Sequence, residues 1–353
     1  MDQSFIYTGN PARILFGSGR AAELGEEIRR LGRRRALLLS TPFQKPDVEA
    51  IAQTLGNLAA GVFAEATMHT PVEVTERAMA VYSDTGADCV VAFGGGSTIG
   101  LGKAIAYRND APQIVIATTY AGSEVTPILG QTERGVKTTV RGSSILPETV
   151  IYDPDLTRGL PVAISVTSGL NAIAHAVEGL CAQDRNPIAS MMAVEGVRAL
   201  KVALPGIVTN PGDAVARSNA LYGSWLCGSV LGMVGMALHH KICHTLGGTY
   251  DLPHAETHAV MLPHTVAYAE KAVPELLSPV AEIFGAPTAA AGLYAFSAAL
   301  GAPTSLKVLG LASADLDRAA ELATTNPYWN PRPIEKQAIR DLLQRAWSGS
   351  RPE

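Results

Sequence analysis

The sequence predicts an α/β N-terminal domain with a mostly parallel, Rossmann-like sheet, followed by an all-helical C-terminal domain. Three observations predict it. Short apolar runs alternate with amphipathic segments throughout the first half. Those runs (ALLL, CVVAF, QIVIA) stay apolar without alternation, as strands do in a parallel sheet covered on both faces. From about Ala163 the strand pattern stops and helix-like segments take over. The expected division is therefore 1–157 and 158–353, with the active site in the cleft between the two domains.

Residues 4–16 carry two strand-like runs, FIY and ARILFG, interrupted by Gly9 and Pro11. AAELGEEIRRLG predicts a helix with Leu24, Ile28 and Leu31 on one face. RRRALLLS, GVFAEA, DCVVAFGGG and QIVIATTY then read as strands, separated by the helices PDVEAIAQTLGNLA, VEVTERAMAVYSDTGA and IGLGKAIAYRN. Lys137–Pro161 reads as a hairpin, a last strand and a proline-punctuated exit. In the second half, VTSGLNAIAHAVEGLCA and SMMAVEGVRALKVAL are helices. DAVARSNALYGSWLCGSVLGMVGMALHHKICHTLG reads as one long helix ending at Gly247 and Gly248, and HTVAYAEKAVPELLSPVAEIFG as another.

Composition narrows the function. The chain has 353 residues, 47% hydrophobic and 17% charged, so it buries a large core. A net charge of −4 gives no electrostatic case for nucleic acid or an anionic membrane. Cys89, Cys181, Cys227 and Cys243 show no CxxC spacing and read as reduced core residues of a cytoplasmic protein. No signal peptide and no membrane span is expected.

Ligands of parallel sheets bind where strands open into helices. Gly94, Gly95, Gly96 and Ser97 follow one strand and open a helix, which suits close approach of a phosphate to free backbone N–H groups. Thr118–Glu124 (TTYAGSE) follows the next strand, and Ser40-Thr41 follows ALLL. Thr41 stands where NAD-specific sheets often carry a ribose-binding carboxylate, so NADH and NADPH both remain open. Histidines dominate the helical half: His239, His240, His244, His254 and His258 are five of the chain's eight. His240 and His244 share a helix face at i, i+4, as do Asn171 and His175. Inward polar pairs on two helices with a further histidine are the makings of a divalent-metal site, except that one position is an amide.

Taken together, GGGSTIGLGK, TTYAGSEVT, NAIAHAVE and HHKICHTLGG…PHAETHAVMLPH resemble the iron-containing alcohol dehydrogenase superfamily over essentially the whole chain. Within it, TTYAGSEVTPILGQTE, SGLNAIAHAVE and NPYWNPRP resemble the maleylacetate reductase family. The resemblance implies NADH- or NADPH-dependent reduction of maleylacetate to 3-oxoadipate in aromatic catabolism, by a homodimer. The Asp and three His that hold the ion in metal-dependent relatives match Asn171, His175, His240 and His254, and the family's further site histidine matches His244. Gly100 stands where the family's glycine motif has Asp. The resemblance assigns cofactor contacts to Ser40, Thr41, Gly94, Gly95, Gly96, Ser97, Thr118, Thr119, Ala121, Gly122, Ser123 and Lys137. Asn171, Arg332, Lys137 and Tyr120 are the expected substrate contacts, and His175, His240, His244 and His254 the catalytic ones, with His244 or His254 as general acid. No metal is expected, because an amide removes one negative charge from the ligand set. A metal-dependent alcohol or polyol dehydrogenase is the rival reading. A non-redox synthase on the same scaffold is a further one, against which Asn171 argues.

Overall fold

The computed structural model describes residues 4–326 and 328–353. Two compact units are formed, one by Gly9–Leu160 and the other by Pro161–Glu353 together with the segment before Gly9.

The first unit holds β1 (Arg13–Phe16), α1 (Leu24–Arg30), β2 (Ala36–Leu39), α2 (Lys45–Leu55), β3 (Ala59–Phe63), α3 (Val72–Asp84), β4 (Cys89–Gly94), α4 (Gly96–Asn109) and β5 (Gln113–Ala117). After these come β6 (Ile128–Glu133), β7 (Val136–Arg141) and β8 (Thr149–Tyr152). Six strands form a parallel sheet in the order β1-β8-β5-β4-β2-β3. The strands of ALLL, CVVAFG and QIVIA are wholly buried, as their unbroken apolarity predicts. From β2 the chain goes to β3 on one side, then crosses to β4 on the other. At such a reversal the loops diverge and leave a crevice at the carboxyl ends of the strands. β6 and β7 form an antiparallel hairpin that starts earlier than expected: its first strand precedes Lys137, which lies on the second and pairs with Thr132. Phe5–Tyr7 forms no strand and stays exposed.

The second unit contains, among the described residues, helices and turns but no strand. Its helices are α5 (Val162–Leu180), α6 (Pro187–Thr209), α7 (Ala214–Met233), α8 (Leu238–Tyr250) and α9 (His254–Glu270). α10 (Pro274–Phe284), α11 (Ala289–Ala299), α12 (Leu316–Thr324) and α13 (Lys336–Ser348) complete it. Two expectations fail in its middle. The long apolar stretch is two helices, α7 and α8, bent by 96°. Gly235 lies in the break, where the Asp184 carboxylate accepts its N–H at 2.9 Å. Gly247 and Gly248 do not end α8, which runs on to Tyr250 and closes at Asp251 in the left-handed region. α9 likewise ends at Glu270, and Pro274 starts a new helix, where its missing N–H costs nothing.

Candidate active site

In the first unit the loops after β2, β4 and β5 come together. Gln44 donates to Thr118 Oγ1 at 3.1 Å, tying the first to the third. Gly94 has φ +151°, and a Cβ there would lie 2.6 Å from Thr98 Oγ1 and 2.9 Å from Gln44 Oε1. Only glycine suits that turn. At Gly96, the first residue of α4, a Cβ would meet nothing within 4 Å. No side chain caps α4, so the N–H groups of Gly96 and Ser97 at its start have no side-chain acceptor, the arrangement that suits a phosphate. The loop after β5 is held by Lys103, the lysine that closes the GGGSTIGLGK motif. Lys103 Nζ, 1% exposed, donates to the carbonyls of Ser123 (2.5 Å), Thr126 (2.8 Å) and Ile128 (3.0 Å) and to Thr126 Oγ1 (2.8 Å). Burial pushes its pKa down to about 7, with Glu124 pulling the other way.

Some expected contacts sit differently. The Ser40 hydroxyl is buried and donates to the Thr41 carbonyl, so it is spent locally. Tyr120 is wholly inside the first unit. Lys137 is half-buried on β7, and burial lowers its pKa.

In the second unit, α5, α8 and α9 bring the histidines together. Asn171, His175 and Glu178 lie at i, i+4 and i+7 along α5, one stripe of the helix. The rings of His175 and His240 stack with centroids 5.1 Å apart, and His258 lies 5.1 Å from His240 and 4.4 Å from His254. His175, His240 and Asn171 are buried, while His244 and His254 form an exposed edge.

Glu178 organises this cluster, and sequence reasoning missed it. One carboxylate oxygen accepts His240 Nδ1–H at 2.5 Å, and the other accepts the backbone N–H of His239 at 2.7 Å. Burial pushes its carboxyl up, but His240 and the donated hydrogen bonds prevail, holding it below the usual carboxylate range. The available signal was its spacing in NAIAHAVE, which puts it on the stripe of Asn171 and His175. Behind His240, His239 Nδ1 lies 2.9 Å from Thr265 Oγ1, and His239 Nε2 lies 2.9 Å from His258 Nδ1. Burial first, then neighbouring imidazoles, push His175 and His258 well below the ordinary histidine pKa; His239 falls to about 3. These rings are neutral near pH 7, which is how so many fit together.

Do these residues suit a metal? Asn171 Oδ1, His175 Nδ1, His240 Nε2 and His258 Nε2 are buried without a hydrogen-bond partner among the described residues, so the cluster does present ligand atoms. Their arrangement does not converge, however. His175 and His240 stack with their ring planes 27° apart and their centroids 5.1 Å apart. Among the described residues the His, Cys and carboxylate donors that gather within 4.8 Å are His239, Cys243 and His258, not His175, His240 and His254. Asn171 also brings no charge. This donor set fits a divalent ion poorly.

Arg332 lies elsewhere in the unit. Its guanidinium sits 4.0 Å over the Tyr268 ring, at a cavity that none of the clustered histidines lines.

Comparison with known proteins agrees with this architecture. The model of iron-containing alcohol dehydrogenase matches residues 11–154, and that of the Fe-containing alcohol dehydrogenase family, C-terminal, matches 165–347. The chain belongs to the iron-containing alcohol dehydrogenase family. It is 69% identical to maleylacetate reductase from Rhizobium sp. (strain MTP-10005), over 99% of this chain and 100% of the relative. It is 52% identical to maleylacetate reductase from Burkholderia cepacia, over 99% of both. The crystal structure of maleylacetate reductase from Agrobacterium tumefaciens superposes with a TM-score of 0.97, at 69% identity, covering 99% of this chain and 100% of that one. Within the family, then, the chain is an oxidoreductase of the maleylacetate reductase group.

Proposed function

We propose that this enzyme reduces the C=C bond of maleylacetate to give 3-oxoadipate, with NADH or NADPH and without a metal. A reduced nicotinamide supplies the hydride. The protein's task is to receive the charge that builds on the ketone oxygen as the alkene carbon β to it is reduced, and to protonate the α carbon.

One observation carries the mechanism: the pairing of His240 with Glu178. The carboxylate holds the Nδ1–H of His240, which fixes the ring and leaves Nε2 turned away from Glu178. With Nδ1 committed to Glu178, the second proton of the ring goes on and off at Nε2, so Nε2 is the atom from which His240 gives a proton to the substrate. This moves the general acid from His244 or His254, where sequence alone put it, to His240. His175 and Asn171, buried beside it, orient the substrate through hydrogen bonds. His244 and His254, at the exposed edge, suit its carboxylates. A cytoplasmic homodimer acting on a small dicarboxylate, with no nucleic-acid or membrane partner, completes the reading.

The test is oxidation of NADH and of NADPH by freshly generated maleylacetate, with and without a strong chelator, alongside metal analysis of the same sample. Rapid turnover that survives chelation, with metal far below one per chain, supports the reading. Activity abolished by chelation and restored by one divalent ion would return the histidines to ligand duty.

A further inference from the structure

Three cations of the second unit meet two side-chain carboxylates at a cavity of about 190 Å³. Lys271 follows α9, Arg345 lies on α13, and Arg332 lies in the segment before α13. The described residues give the Lys271 ammonium no ion pair, and the Arg332 guanidinium meets only the Tyr268 ring. Arg345 is 4.0 Å from Glu353, whose side chain is 80% exposed. Asp341, the other carboxylate on the lining, is exposed and accepts from Gln337 at 2.8 Å. Three cations against two exposed side-chain carboxylates leave a positive surplus at the cavity, and such a grouping suits an anion.

A second, independent observation points the same way. His264 lines this cavity, is 2% exposed, and has both ring nitrogens buried without a hydrogen-bond partner among the described residues. A buried imidazole without partners is costly, and a ligand in the cavity relieves that cost. The Arg332 stack leaves the edges of its guanidinium free, and those edges carry the N–H fork that matches a carboxylate. Glu353 shows which kind of anion reaches Arg345, since a carboxylate already stands at the rim.

We propose that this cavity is a binding site for a small dicarboxylate, separate from the histidine cluster. Arg332 and Arg345 grip carboxylates, Lys271 adds charge at the mouth, and His264 donates one N–H from the floor. Burial and the nearby Arg345 push the His264 pKa down to about 4, so the ring is neutral at pH 7 and keeps one N–H to give. The site shares α9 with His254 and His258, so an occupant bears on the helix that carries them.

The experiment is calorimetric titration of the full chain with adipate at constant ionic strength, with inorganic phosphate in a parallel arm. The comparison proteins are R345Q and the double variant K271Q/R345Q, both of residues outside the reaction site, with folding checked by circular dichroism. Saturable adipate binding that weakens about tenfold for each lost charge, with kcat/KM for maleylacetate held within about twofold, is the expected result. Three results overturn the proposal: no saturable binding beyond that at the reaction site, adipate binding equal in all three proteins, or phosphate binding more tightly than adipate.

Discussion

The two units make their polar sites from different materials. In Gly9–Leu160 the candidate phosphate site is main chain: a glycine turn, an uncapped helix start and carbonyls pinned by one buried ammonium. In Pro161–Glu353 the site is all side chain: an amide, imidazoles and the carboxylate that aligns them. A main-chain site is specified by what is absent, room for a Cβ. A side-chain site is specified by what stands behind each working group. The first should fail through shape and the second through chemistry.

The largest expected effect breaks the side-chain site. His240→Asn should lower kcat about 100- to 10,000-fold, the usual contribution of a positioned proton donor, with little change in the KM for NADH. Glu178→Gln should cost about 10- to 100-fold, because the ring loses its aligning charge but keeps its nitrogen. Equal losses in the two variants would mean that Glu178 touches substrate itself. A glycine pair sharpens the main-chain half. Gly94→Ala forces a side chain into the left-handed region against Thr98 and should cost about 1–3 kcal/mol in urea unfolding. Gly96→Ala has space for its Cβ, so stability should hold within about 0.5 kcal/mol while the KM for NADH rises. If stability falls alike in both, the loop is only a tight turn. The smallest effect concerns the thiols. All four cysteines are buried, and burial pushes Cys89 and Cys181 up to about 12. A thiol reagent at pH 8 should label almost none in the native enzyme and four once it is denatured.

The same contrast explains what the sequence disclosed. The parallel sheet was legible because strands buried on both faces must be apolar at every position, as CVVAF and QIVIA are. The histidines were legible because their density exceeds any packing need. Glu178 was not, because one carboxylate among apolar helix residues reads as a solvated face until its partner's position is known. The break between α7 and α8 was hidden for a related reason: Val234–Ala237 is apolar and glycine-bearing like the helices around it, and Asp184, far away in sequence, receives the freed N–H. Arg332 was read as a carboxylate ligand from its chemistry alone, and only the fold shows that Tyr268 and His264 are its neighbours.

The line of hydrogen bonds behind His240 has a direction. Thr265 turns its only hydroxyl hydrogen to the Met261 and Leu262 carbonyls one helical turn back, at 3.0 and 3.1 Å. The hydroxyl oxygen therefore accepts from His239 Nδ1–H, which leaves His239 Nε2 bare to accept from His258 Nδ1–H. The lone pair of His258 then falls on Nε2, the atom left without a partner. Main-chain carbonyls of α9 thus set the tautomer of two imidazoles in sequence. Proton order in this part of the molecule is written by helix geometry, and His239 and His258 have one arrangement to adopt.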